Sequence, residues 1–223
     1  MAAARPFNKV LIVGAGPSGL LLALLLSKHG IPVTVLEMSH QLDQQPRAAH
    51  YGPPAIPDLQ RAGILDDLRK KGLSLNTMCW RRFEDHSYIA GFDAQVISDV
   101  DGNDWRTLSY PLQDLDQHML DHFVEKYNGE VKWLHKVVDV GQDADKAWAD
   151  VETPEGKQRI EADYVVGCDG ANSNVRKSLF GNEYPGFTWD AQIIATNVST
   201  PPLCTCRVIL ACFLLTGSCV DIL

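Results

Sequence analysis

At 223 residues, with 45% hydrophobic and 22% charged side chains, the chain has apolar material for a substantial core and the length of one large domain or one and a half smaller ones. Its 20 basic against 28 acidic side chains leave a net charge of −8, which argues against nucleic acid or an anionic membrane surface as the main partner, because phosphates need a basic face. Of the six cysteines, Cys204, Cys206, Cys212 and Cys219 crowd the C-terminal stretch without CxxC spacing or accompanying histidines, so no metal site is expected. The isolated Cys79 and Cys168 suit a reducing, cytoplasmic compartment.

Arg5 and Lys9 precede an apolar stretch from Val10 to Leu26 that superficially resembles a signal peptide, but Gly14, Gly16, Pro17, Ser18 and Gly19 interrupt it where a signal helix would be continuous. A strand, a turn and a helix account for all of them. Lys9 to Val13 reads as a buried parallel strand, Leu20 to Lys28 as a helix stopped by Gly30, and Pro32 to Leu36 as a second strand. Together they form a βαβ unit. Gln44 to Pro57 reads as a long surface connection and Pro57 to Lys71 as a helix. Met78 to Phe83, Tyr88 to Phe92 and Trp105 to Tyr110 are expected as strands of a separate sheet. Leu112, Leu115, Met119 and Phe123 repeat at helical spacing, predicting a helix over 112–127. Short strands follow at Val131 to Trp133 and Val137 to Val140, then a hairpin of Ala149 to Thr153 with Gln158 to Ile160, and a buried strand Tyr164 to Gly167 that ends in Cys-Asp-Gly. The apolar run Val208 to Leu215 is too short to span a bilayer, so no membrane helix is expected.

Gly14, Gly16 and Gly19 form G-x-G-x-x-G between a strand and a helix. Gly14 permits the tight turn, Gly16 lacks the Cβ that would block a pyrophosphate, and Gly19 lets helix and strand pack closely. Phosphates then meet the free amides of the helix start, including that of Ser18. Glu37 ends the second strand, where a carboxylate accepts hydrogen bonds from an adenosine ribose. This motif alone does not separate FAD from NAD.

The segment Asp163 to Gly181 (DYVVGCDGANSNVRKSLFG) resembles the second fingerprint of the flavin-dependent aromatic hydroxylases, the para-hydroxybenzoate hydroxylase and phenol 2-monooxygenase-like family, through Asp169, Gly170, Ser173 and Arg176. The resemblance implies an α/β fold: a Rossmann-like FAD-binding domain with a partial, mainly antiparallel β-sheet substrate domain. It implies that Asp169 lies by the FAD ribityl chain and pyrophosphate; a helix N-cap is the alternative for this residue. Arg47 resembles the arginine over the FAD adenosine and pyrophosphate, against a plain loop arginine. Gln113 resembles the glutamine that reaches the flavin side of the cofactor, against a polar helix start. Val137 resembles the residue whose backbone packs on the adenine, against plain strand core.

By the same resemblance the activity is monooxygenation of a small phenolic or aromatic substrate with O2 through a flavin C4a-hydroperoxide, with FAD as cofactor, NADPH or NADH as electron donor and an oligomer in the complete enzyme. Neither nucleic acid nor membrane is a partner. No catalytic acid or base is nominated; His50 and Tyr51, beside Arg47, are the only local candidates. The FAD-binding domain is placed at residues 1–182, with 77–106 contributing strands to the substrate domain, and the substrate domain opens at 183–198, where GFTWDAQIIATNV resembles its first sheet residues. Residues 199–223 carry four cysteines, two adjacent prolines and no family pattern, and are expected to be a divergent tail on an incomplete chain. The alternative is a noncatalytic FAD-binding remnant or a misassigned gene end.

Overall fold

A computed structural model describes residues 9–45, 47, 49–82, 84–100, 102–181, 183–187, 190, 193–194, 210–214 and 220–222, the last three segments by their backbone alone. In chain order the elements are β1 (Val10–Val13), α1 (Pro17–Lys28), β2 (Val33–Leu36), β3 (His50–Tyr51), α2 (Ile56–Ala62), α3 (Leu65–Lys71), β4 (Leu73–Ser74), β5 (Thr77–Arg81), β6 (Tyr88–Asp93), β7 (Leu108–Ser109), α4 (Leu112–Tyr127), β8 (Glu130–Lys132), β9 (Lys136–Gln142), β10 (Ala147–Thr153), β11 (Gly156–Ala162), β12 (Tyr164–Gly167), α5 (Asn174–Phe180), β13 (Ile193–Ile194), β14 (Leu210–Leu214) and β15 (Val220–Ile222). They divide into two compact units. One comprises Met1–Ala49, Pro57–Lys71 and Tyr110–Tyr184, and the other His50–Ile56, Gly72–Ser109 and Pro185–Leu223.

The first unit is built on a parallel sheet of order β12-β1-β2-β8. All residues of β1 and β2 are buried, as an unbroken aliphatic strand covered on both faces requires. Helix α1 makes the crossover between them and packs against α4, whose Leu115, Met119 and Phe123 are buried as their spacing predicts. Asn128 ends α4 in the left-handed region, a conformation that asparagine tolerates. A second core joins Leu11, Val13 and Leu36 of the parallel sheet to Val137, Ala149 and Val151 of the antiparallel sheet β11-β10-β9 and to Val175 of α5.

Two expectations change and one gains its place in the sheet. The single helix over 57–71 is two, because Gly63 turns at a φ of +79° and its N–H caps the carbonyl of Gln60. The short strand after α4 joins β2 in parallel, which continues the main sheet. The surface connection 44–57 contains β3 and a 3-10 turn at Pro53–Ala55, with Pro46 and Ala48 outside the described residues.

The second unit has a sheet of order β13-β14-β15-β5-β6 and a small sheet β3-β7-β4. The strand expected over 105–110 shortens to β7 and leaves the β5–β6 hairpin. Its first residues are diverted because the Asp104 carboxylate accepts both the backbone N–H and the guanidinium of Arg106, a local turn that competes with a sheet ladder. The stretch set apart as a divergent tail supplies β14 and β15, and β15 pairs antiparallel with β5 at Asp221↔Arg81 and Ile222↔Trp80. Cys204, Cys206, Cys219 and most of the remaining tail lie outside the described residues, as do Arg5 and Phe83. The fold class is the expected one, α/β with a parallel sheet and separate antiparallel sheets.

Candidate cofactor site

The chain adds β2 and then β8 on one side of β1, and later returns to place β12 on the other side. That reversal makes a topological switch point at the carboxyl ends of β1 and β12, the place where open α/β sheets bind ligands. Gly14 follows β1, Glu37 follows β2, and Cys168 and Asp169 follow β12, so both fingerprints and the acid meet at this edge. Backbone hydrogen bonds hold the turns together: Gly14 N–H donates to Leu36 at 2.8 Å and Cys168 N–H to Val13 at 2.7 Å.

The glycines have distinct tasks. A Cβ on Gly14 would lie 2.5 Å from the Cys168 carbonyl oxygen, and one on Gly19 would lie 2.0 Å from the Gly14 carbonyl oxygen. A Cβ on Gly16 would meet nothing within 4 Å, so no contact inside the protein accounts for a glycine there. Gly16 is the N-cap of α1, with no side chain capping the helix and no acid in the first turn. Pro17 has no N–H, and Leu20 N–H is bonded to Gly16 at 3.0 Å, so the open amides are those of Gly16, Ser18 and Gly19. An uncapped helix start with a bare glycine surface suits a pyrophosphate.

Glu37 binds protein before it binds any ribose. Its Oε2 accepts the N–H of Ala15 and its Oε1 the N–H of Ser39, each at 2.8 Å, so the carboxylate ties the glycine loop to the end of β2. Each oxygen retains a lone pair for a ribose hydroxyl. Glu37→Ala is expected to destabilise the unit by about 1–2 kcal/mol and to weaken FAD binding at least tenfold, whereas Glu37→Gln keeps one acceptor and loses less. Denaturant unfolding and FAD fluorescence quenching of the two variants check this.

Asp169 braces the start of α5. Its Oδ1 accepts the Ser173 hydroxyl at 2.6 Å, and its Oδ2 accepts the N–H of Asn174 at 2.7 Å and of Val175 at 3.2 Å. Ser173 Oγ in turn accepts the N–H of Arg176 at 2.9 Å. The N-cap of α5 is Ser173, and Asp169, four residues before it, accepts the N–H groups of the first two helical residues at the ligand edge of the sheet. Asp169→Ala should cost about 1–2 kcal/mol, seen as lost α5 protection in amide hydrogen exchange.

The remaining candidates are differently engaged. Arg47 donates from Nε at 3.0 Å and Nη2 at 2.7 Å to Asp43 Oδ2, on the surface. Gln113 is the half-buried second residue of α4. Val137 is buried in the second core, and its carbonyl accepts the Asn174 side chain at 2.9 Å. His50 and Tyr51 form β3 of the second unit, where His50 Nδ1 is buried without a hydrogen-bond partner among the described residues.

Two features escaped sequence reasoning. The Cys168 thiol lies beside the glycine turn, and burial together with the neighbouring Asp169 carboxylate holds its pKa above the ordinary thiol value. Asp116, on the buried side of α4, is 5% exposed and its Oδ1 has no hydrogen-bond partner among the described residues. Burial, with the Asp43 carboxylate nearby, pushes its pKa up to about 7. Only the apolar members of α4 follow a pattern, so nothing local marks a buried acid.

The chain matches the model of the FAD binding domain family over residues 8–214, a span that runs beyond residue 198 into the stretch set apart by composition. It is 37% identical over 199 residues to para-nitrophenol 4-monooxygenase of a Pseudomonas species, covering 85% of this chain and 46% of that protein. It is 36% identical over 196 residues to 6-hydroxy-3-succinoylpyridine 3-monooxygenase of Pseudomonas putida, covering 85% and 48%. The crystal structure of p-nitrophenol 4-monooxygenase from Pseudomonas putida superposes with a TM-score of 0.76 at 33% identity, covering 83% of this chain and 47% of that one. The chain thus spans about half the length of the curated relatives it matches. With the glycine cradle, the open helix start and the acid after β2 in place, the chain belongs to the FAD binding domain family found in flavin-dependent aromatic monooxygenases.

Proposed function

We propose that this chain forms the FAD-holding part of a monooxygenase that takes electrons from NADH or NADPH and hydroxylates a phenolic substrate with O2 in the cytoplasm. The observation that carries the reading is the meeting of the Gly14–Gly19 turn and the Asp169–Gly170 turn at the carboxyl ends of adjacent parallel strands. In this reading FAD supplies the redox and oxygen chemistry when bound. The amides of Gly16, Ser18 and Gly19 receive its pyrophosphate, and Glu37 accepts its ribose hydroxyls. Arg47 exchanges Asp43 for the phosphates, Gln113 faces the flavin side, Val137 offers its backbone to the adenine, and Asp169 holds the α5 turn against the ribityl chain. Residues 1–182 form the FAD-binding part, 77–106 lend strands to the substrate part, which opens at 183–198, and 199–223 follow it.

The relatives are named as monooxygenases of p-nitrophenol and of a hydroxypyridine, which supports a phenol-like substrate. A second reading is FAD binding without turnover. Purified chain is to be titrated with FAD, then mixed with NADH or NADPH and p-nitrophenol or phenol. Bound flavin with no substrate-stimulated NAD(P)H oxidation is the expected result for this chain alone. Substrate-stimulated oxidation would make it a complete enzyme, and absence of flavin binding would overturn both readings.

A further inference from the structure

Helix α4 and strand β8 are joined by Asn128 and Gly129 alone, and both residues fix the joint. Asn128 is left-handed at a φ of +51°, and a Cβ on Gly129 would lie 2.3 Å from the Phe123 ring. Gly129 N–H donates to the Phe123 carbonyl at 2.9 Å. The angle between helix and strand, and with it the groove they enclose, is therefore set by the fold. That groove, of about 490 Å³, is lined by Leu120 and Val124, one turn apart on α4, and by Val131 and Trp133, two residues apart at β8. Val124 is 44% exposed and the other three are half-buried. Asp121 and Glu125 line the same groove, and like charges at this helical spacing repel each other. Neither forms an ion pair with a described residue; Asp121 accepts the Gln117 side-chain amide at 2.6 Å.

Strand β8 is the edge of the parallel sheet and pairs with β2 alone among the described strands. The Lys132 carbonyl accepts Glu37 N–H, so Lys132 turns its main-chain groups toward β2 and Val131 turns its own outward. An open strand edge beside an apolar floor and two acids without counter-charges is complementary to one class of ligand. We propose that this groove binds an extended segment of a partner protein, with an apolar centre flanked by basic side chains. The main chain of the segment pairs with Val131, its apolar centre covers Val124 and Trp133, and its cations lie by Asp121 and Glu125. The net charge of −8 draws such a segment in. This binding does not depend on FAD.

The purified full chain is titrated by fluorescence anisotropy with a fluorescein-labelled peptide, Lys-Lys-Val-Thr-Val-Lys-Lys, at about 0.15 M salt, where charges more than about 8 Å apart are screened. Two further peptides replace lysine by glutamate or valine by serine, and a third is N-methylated at its central amides. Wild type should bind the first peptide about tenfold or more tighter than each of the others. Val124→Lys, and Asp121→Lys combined with Glu125→Lys, should each weaken it about tenfold while the thermal midpoint and FAD binding hold. Asp66→Lys combined with Glu155→Lys makes the same change of net charge on other surfaces and should stay within about threefold of wild type. No binding by wild type, equal binding of the four peptides, or equal losses in the two charge-reversed doubles overturns the proposal. Sedimentation velocity should show a monomer. A dimer that Val124→Lys dissociates would put a second copy of this chain in the groove and overturn it as well.

Discussion

Gly16→Ala is expected to leave the chain folded while lowering FAD affinity by about a hundredfold or more, and Gly19→Ala is expected to do the reverse in order of cause, losing the fold first. At Gly16 the backbone is extended, φ −75° and ψ −179°, and a methyl group would meet no protein atom within 4 Å. Alanine there meets no clash, and its restriction of the unfolded chain is offset by glycine's better fit at a helix N-cap, so stability should change by less than about 1 kcal/mol. The same methyl group would occupy the surface on which the pyrophosphate has to rest. At Gly19 a methyl group would lie 2.0 Å from the Gly14 carbonyl oxygen, a backbone atom in a turn already fixed against Cys168. Helix α1 has to move away from the sheet, at a cost of about 3 kcal/mol or more. Urea unfolding together with FAD fluorescence quenching separates the two: Gly16→Ala that binds FAD normally would remove the pyrophosphate from this loop.

Asp116→Asn should flatten the pH dependence of stability and raise the thermal midpoint above pH 7. The folded-state pKa of Asp116, about 7, lies above the ordinary value of 3.8 because burial and Asp43 oppose its charge. Below about pH 4 the carboxyl is protonated in both states and carries no penalty. As pH rises from about 4 to 7 the unfolded chain ionises while the fold retains the proton, and stability falls; above the folded pKa the full penalty persists. The span from 3.8 to about 7 corresponds to at most ~4 kcal/mol. Relaxation and water entry reduce it to about 2 kcal/mol, or roughly 5 °C in a chain of this size. The asparagine variant should therefore match or trail wild type at pH 5 and exceed it at pH 8. Parallel melting curves across that range would show that Asp116 is ionised in the fold or relieved by another group.

Much of the site was legible because its chemistry is local. A glycine run between a strand and a helix, and an acid at the end of the next strand, specify a turn, an open helix start and an acceptor, and the structure contains all three. Asp169 and Ser173 were legible as a motif, yet their hydrogen bonds show a cap, a role that depends on where α5 begins. Arg47 was legible only by resemblance, since its partner Asp43 lies four residues away and a loop arginine carries no periodic signal.

By itself the amino-acid order determined the βαβ unit, the α4 helix with its buried Leu115, Met119 and Phe123, and the glycine cradle, because each rests on contacts within one element or across one turn. Tertiary structure alone decided that β8 and β12 flank the first two strands, that the C-terminal stretch supplies β14 and β15, that Asp116 is buried with its Oδ1 unpartnered among the described residues, and that the turn after β8 is bonded to the segment after β2. These are pairings between segments far apart in sequence. A strand's composition states that it will be covered, and only the folded chain decides by what.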